Sequence, residues 1–179
     1  MERRIFKNPK IQDKVTVVES PAETNHEYML LEVELEPKGG NDLHYHSTFT
    51  EEFIPLQGTL GVQVGRQKLG LAPGERSTVQ KNELHRFFNP GDEPIRFQVK
   101  IVPAKENFIQ GLAIAYGLAA DGLTSGKGVP KKLDHLALLI DLTETKLKGP
   151  MGLLASLMTR RARKLRKRGV LNELLARYY

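Results

Sequence analysis

Gly39-Gly40-Asn41-Asp42-Leu43-His44-Tyr45-His46-Ser47-Thr48-Phe49-Thr50-Glu51-Glu52 is the stretch on which the reading of this chain turns. On a β-strand successive side chains alternate between faces, so His44 and His46 point the same way. Two imidazoles on one face can grip one ion. Glu51 follows after a short bend and can add a carboxylate from the next strand. His85, in Leu84-His85-Arg86-Phe87-Phe88-Asn89, comes a hairpin's worth of chain later. In a closed barrel such a strand returns beside the first two. A His-x-His pair alone is a weak sign, since most such pairs are surface or packed features; the added glutamate and third histidine change the reading.

Working outward, the chain on both sides reads as short strands. Val15–Val18, Tyr28–Leu35, Phe53–Leu56, Thr59–Val64, Ser77–Val79 and Ile95–Ile101 are apolar or alternating runs. Pro37-Lys38-Gly39-Gly40, Gln57-Gly58, Gly65, Pro73-Gly74 and Asn89-Pro90-Gly91-Asp92 punctuate them. Many short strands with such turns suggest a sandwich or barrel. Thr59–Gln67 reads as a hairpin arm turning at Gly65-Arg66, and residues 1–12 as an edge strand or arm. After Pro103 the period changes to helical spacing. Helices are expected over Phe108–Ala120 (interrupted by Gly111 and Gly117), Leu133–Leu142, Met151–Leu165 and Val170–Tyr178. Gly122, Gly149-Pro150 and Gly169 are the expected stops. The expected organisation is a mainly β barrel with an N-terminal arm over residues 1–103 and an α-helical extension over 104–179.

Composition narrows the chemistry. The chain has 179 residues and no cysteine, so disulfides, thiolate zinc sites and cysteine nucleophiles are excluded. Any metal must be held by nitrogen and oxygen. Residues 1–103 carry 13 Lys and Arg against 15 Asp and Glu, a balance of −2. Residues 104–179 carry 14 against 6, a balance of +8. That asymmetry is itself a sign of two units. The start of the chain does not read as a secretory signal, and no stretch of 18 apolar residues occurs, so a cytoplasmic protein is expected, with membrane-surface association left open by the basic segment below.

The combined residues resemble the cupin superfamily, a single-barrel protein of the cupin-2 type. The first cupin motif runs glycine, His-x-His, three or four residues, glutamate, six residues, glycine; here these are Gly39, His44, His46, Glu51 and Gly58. Gly39 sits one residue closer to the first histidine than is usual. The second motif is matched by Pro73, Gly74, His85 and Asn89, with Gln80 and Asn82 where the family often has proline and glycine. The six-residue gap to Gly58 selects Glu51 over Glu52. Asn89 and Gln57 are expected in turn or supporting roles, and His26 and His135 match no motif.

The resemblance implies a double-stranded β-helix, the cupin jelly-roll barrel, with a metal held by His44, His46, Glu51 and His85. Three imidazoles and one carboxylate suit one divalent transition metal (Mn, Fe, Ni, Co, Cu or Zn) rather than Ca or Mg. Four protein ligands leave positions open for a substrate oxygen or dioxygen. The expected function is a metal-dependent enzyme, dioxygenase-like or an isomerase, acting on a small organic substrate, with Glu51 as ligand and proton acceptor. The alternative is a non-catalytic small-ligand-binding or sensor cupin. Phe53 and Phe87, with Tyr45 or Gln63, are candidate lining residues. Single-barrel cupins commonly pair through sheet edges, so a homodimer is expected.

Near the C-terminus the apolar Met151–Met158 leads into Thr159–Arg168, in which seven of ten residues are basic. Residues 150–168 admit three readings: an interfacial helix on anionic head groups, a nucleic-acid contact, or a solvated face whose apolar stripe packs on its neighbours. No aromatic residue interleaves the basic run, which argues against stacking on single-stranded nucleic acid.

Overall fold

Alternation of burial along the strands builds the first unit. A computed structural model of the chain describes residues 4–146 and 155–179. It divides into two compact units, one of residues 1–7 and 11–105 and one of residues 8–10 and 106–179. Strands β1 (Ile5–Asn8), β2 (Asp13–Glu19), β3 (Met29–Leu35), β4 (Tyr45–His46) and β5 (Thr50–Gln57) come first. They are followed by β6 (Leu60–Val64), β7 (Gln67–Leu71), β8 (Ser77–Val79), β9 (His85–Phe88) and β10 (Ile95–Val102).

A six-stranded sheet has the order β1-β2-β3-β10-β5-β8, and a three-stranded sheet the order β7-β6-β9. Non-consecutive neighbours of this kind are what a jelly-roll barrel requires, and the first unit is one. The edge position of β1 agrees with the expected N-terminal edge strand, and the β6–β7 hairpin turns at Gly65-Arg66 as read from the sequence.

Register explains the core. Across the large sheet Met29 pairs with Ile101, Ile101 with Glu51, and Glu51 with Val79. The next inward row is Leu31, Val99, Phe53 and Ser77. Phe53, Phe97, Met29 and Ile101 are at most 1% exposed, so these rows face the barrel interior. Glu51 is the acidic member of an otherwise apolar row. Glu52, one residue on, turns outward to Arg76, as strand alternation demands.

In the second unit α1 (Glu106–Ala120), α2 (Leu133–Thr143), α3 (Ala155–Lys167) and α4 (Val170–Tyr178) bury Ile114, Leu118, Leu138, Leu142, Ala162, Leu165, Leu171 and Leu174 in one core. One expectation is corrected. Helix α1 runs unbroken through Gly111 and Gly117. Those glycines mark close approach, not interruption. A Cβ at Gly111 would lie 2.7 Å from Thr143 Cγ2, and one at Gly117 would collide with the ring of Tyr178.

Gly122 does end α1. Its φ of +69° lets its N–H reach Ala119 O while Leu123 N–H reaches Leu118 O, the paired bonds of a Schellman stop. The expected stop at Gly149-Pro150, and the Met151–Leu154 part of the third helix, lie outside the described residues. Among the described residues no helix is long and apolar enough to cross a membrane.

Candidate metal centre

The site begins with two antiparallel segments. His44 and His85 form a bridge in which each backbone N–H donates to the other's carbonyl, at 3.0 and 2.8 Å. The pairing continues through Asn41 N–H to Phe87 O and Asn82 N–H to His46 O. Directly opposed residues of this kind put their side chains side by side on one face. The rings of His44 and His85 accordingly lie 4.4 Å apart, and His46, two residues along, is 4.8 Å from His44. Glu51 arrives from β5 in the facing sheet. The donor atoms of His44, His46, Glu51 and His85 all lie within 4.8 Å of one another. His46, Glu51 and His85 are buried and His44 is half-buried, so solvent meets the group at His44.

Orientation of two rings is fixed from behind. His44 Nδ1 is 2.8 Å from the Asp42 carbonyl and His85 Nδ1 is 2.9 Å from the Glu83 carbonyl. A carbonyl only accepts, so each Nδ1 is the donor and each Nε2 is turned toward the group. His46 is held by a different device: Phe49, 1% exposed, stacks on its ring at 4.2 Å and 26°.

Charge inside the cluster is shared. His85 Nε2 lies 2.7 Å from Glu51 Oε2, and His46 Nε2 lies 3.6 Å from the same oxygen. Burial pushes the His85 pKa down, but the hydrogen bond and charge of Glu51 outweigh it and hold His85 above its ordinary value. Burial likewise pushes Glu51 up, and the His85 hydrogen bond with the charge of the imidazoles brings it below its ordinary value. His44 is lowered by burial and then by the charge on His85, so its Nε2 lone pair stays available. With both nitrogens against acceptors, the protonated form of His85 is favoured beside Glu51.

The donor set fits a divalent transition metal. His44, His46 and His85 would hold such an ion through nitrogen and Glu51 through oxygen, with the four donors already within 4.8 Å of one another. Binding would displace the proton from His85 Nε2, because a ligand nitrogen must be unprotonated.

The remaining residues singled out by the sequence sort by face. Phe53 and Phe87 lie inside, with ring centroids 6.1 Å apart, and Phe53 lies 6.3 Å from His85. Tyr45 and Gln63 do not join them. Tyr45 alternates with His44 and His46 and so takes the opposite face. Gln63 pairs in register with Arg86, accepts its Nε–H at 2.9 Å, and lies on the side away from Val62 and Phe87. Asn89 clamps its own turn, donating to Leu35 O and Glu93 O while accepting from Gly91 N–H. His26 is exposed in a turn, and His135 is half-buried on α2. Sequence reasoning missed Phe49 and the Asp42 and Glu83 carbonyls. Both carbonyls stand two residues before a ligand-type histidine, a spacing visible in the sequence, but the bend that turns them inward is not.

Comparison with known proteins bears on the fold that carries the site. Residues 31–102 match the family model described as Cupin domain. No curated protein matches the sequence. Among solved structures, KdgF from a Halomonas species is similar with a TM-score of 0.51 at 14% identity, covering 57% of this chain and 88% of that one. A predicted oxalate decarboxylase from Thermotoga maritima is similar with a TM-score of 0.50 at 16% identity, covering 57% and 93%. A cupin-2 domain protein from Rhodospirillum rubrum gives 0.46 at 24% identity; the match spans 54% of this chain and 61% of that one, less than two thirds of its length. At these identities the likeness is one of fold.

Proposed function

Because residues 31–102 form a cupin domain, we propose that His44, His46, Glu51 and His85 hold one divalent transition metal ion and that the barrel is a metal-dependent enzyme for a small organic substrate, of the oxygenase subclass. The observation that carries this reading is the convergence of four donors within 4.8 Å, with the His44 and His85 imidazoles aimed by backbone carbonyls behind them. A metal there supplies Lewis acidity toward a substrate oxygen, and positions beyond the four protein ligands remain for exogenous ones.

The chain's own residues do the rest. His44, half-buried, marks the side from which a substrate enters. Phe53 and Phe87 offer an apolar wall that suits an aromatic or enol-like molecule and excludes water. Glu51 is the one carboxylate of the group, and once His85 Nε2 turns to the metal, Glu51 Oε2 is released from the His85 hydrogen bond and serves as ligand and acceptor of a substrate proton.

A second reading is a small-ligand binder without turnover. It is favoured by the aromatic filling of the interior, where Phe53, Phe87 and Phe97 have ring centroids 5.3 to 6.4 Å apart.

Cobalt substitution separates the two. In the enzyme reading, the visible spectrum of the Co(II)-loaded protein changes on titration with azide or a small carboxylate, because an open position exists. A spectrum indifferent to both means a closed site and leaves the binder.

A further inference from the structure

Helix α3 buries one stripe and turns a different kind of surface outward. Met158, Ala162 and Leu165 pack into the core of the helical unit. On either side of that stripe Arg161 pairs with Asp134 and Arg166 pairs with Asp141. Two cations thus fasten the helix to α2. At 100° per residue the remaining cations, Arg160, Arg163, Lys164 and Lys167, fall within a sector of about 100° opposite the buried stripe. All four are exposed, and among the described residues none has an acidic partner. They occupy about 10 Å of helix length at ~1.5 Å per residue. Leu157, 54% exposed, borders the same sector one turn upstream.

This arrangement works against the isolated protein. Arg160 with Lys164 and Arg163 with Lys167 are like charges four residues apart, which destabilise a helix. The helix dipole rewards cations in the last turn but not Arg160 or Arg163. A dense anionic partner relieves the repulsion. The apolar stripe is not available for insertion, because it is already core. What remains is a straight row of cations bordered by an exposed leucine.

We propose that this outward face of α3 docks the protein on an anionic lipid bilayer. A flat array of anionic head groups can meet all four side chains at once, and the acyl boundary rewards Leu157 as well. A nucleic-acid backbone rewards only the cations. Each Lys or Arg near an anionic surface strengthens binding about fivefold, so the row contributes on the order of several hundredfold.

Co-sedimentation of the full chain with phosphatidylcholine vesicles, with and without about 30% phosphatidylserine, tests this at about 0.1 M and about 0.5 M salt. The expected result is binding to the anionic vesicles alone, lost at the higher salt. The variant Arg160→Gln/Arg163→Gln/Lys164→Gln/Lys167→Gln weakens it several hundredfold with a thermal midpoint no lower than the parent's, since two like-charge repulsions are relieved. A control removing as many exposed cations from the rest of the chain, Lys10→Gln/Arg66→Gln/Lys68→Gln/Lys81→Gln, changes it less than about fivefold. Leu157→Ser weakens vesicle binding further while leaving affinity for a DNA duplex unchanged. Equal losses in the two quadruple variants, or salt-insensitive binding, overturn the proposal. Tighter binding to the duplex than to anionic vesicles at matched phosphate and salt reassigns the face to nucleic acid and overturns it too.

Discussion

Glu51 and Arg163 stand at opposite extremes of how this chain places a charge. Glu51, 7% exposed, sits in a row with Met29, Ile101 and Val79 and is balanced by His85 at 2.7 Å. Arg163 stands in water on α3 with other cations for neighbours. A buried charge must be matched by partners brought from distant strands, so its environment is set by the whole fold. An exposed charge needs only solvent, so its environment is set by its own helix and by whatever docks there. In the barrel, charge organises the interior; in the helical unit it edges and covers the surface.

The sharpest way to break this comparison is to remove the buried partner. Glu51→Ala leaves His85 buried beside His44 and His46 without its counter-ion, and destabilisation by about 3 kcal/mol or more is expected in urea unfolding. Glu52→Ala, one residue away, removes only a partly exposed contact with Arg76 and costs under ~1 kcal/mol. Equal costs at the two positions would mean that the His85–Glu51 pair is not matched as described.

A second effect, about half as large, belongs to the helical core. Gly117→Ala improves helix propensity by up to ~1 kcal/mol yet drives a methyl into the ring of Tyr178. A net loss of about 1–2 kcal/mol is expected by thermal unfolding. A gain in stability would restore the reading of Gly117 as a helix interruption.

The smallest effect is the dependence on pH, and its sign differs between the apo and loaded states. His85 is raised above 6.5, so the stability its proton contributes is complete below that value and is lost as pH rises through the raised pKa. Glu51 is lowered below 4.5, so its contribution is present above that value and is lost as pH falls through the lowered pKa. The apo pair therefore stabilises most between the two. A metal ion competes with the His85 proton, so the thermal shift produced by added metal grows from about pH 5.5 to about pH 8. A shift that shrinks over that range would exclude His85 as a ligand.

Local rules carried much of this in advance. His44 and His46 share a face because strands alternate; the cupin motif's six-residue gap to Gly58 picks Glu51, and alternation then turns Glu52 outward. The hairpin at Gly65-Arg66 follows from turn chemistry. What local rules could not supply is contact between distant segments. Gly111 and Gly117 look like breaks until Thr143 and Tyr178 are seen against them. Gln63 looks like a lining residue until its register with Arg86 sets it on the outer face. Phe49 has no motif, and only its stacking on His46 marks it. The seven basic residues of Thr159–Arg168 read as one run, but the fold divides them: Arg161 and Arg166 hold the helix, Arg160, Arg163, Lys164 and Lys167 face outward, and Arg168 stands exposed just past its end.

The central claim is that His44, His46, Glu51 and His85 bind one metal ion. Plasma mass spectrometry on protein purified without a nickel column, beside the His44→Ala/His46→Ala variant, tests it most directly. The account predicts close to one equivalent of a single transition metal in the parent and little in the variant. No metal in either protein, even after reconstitution with Mn, Fe, Ni and Zn, would contradict it.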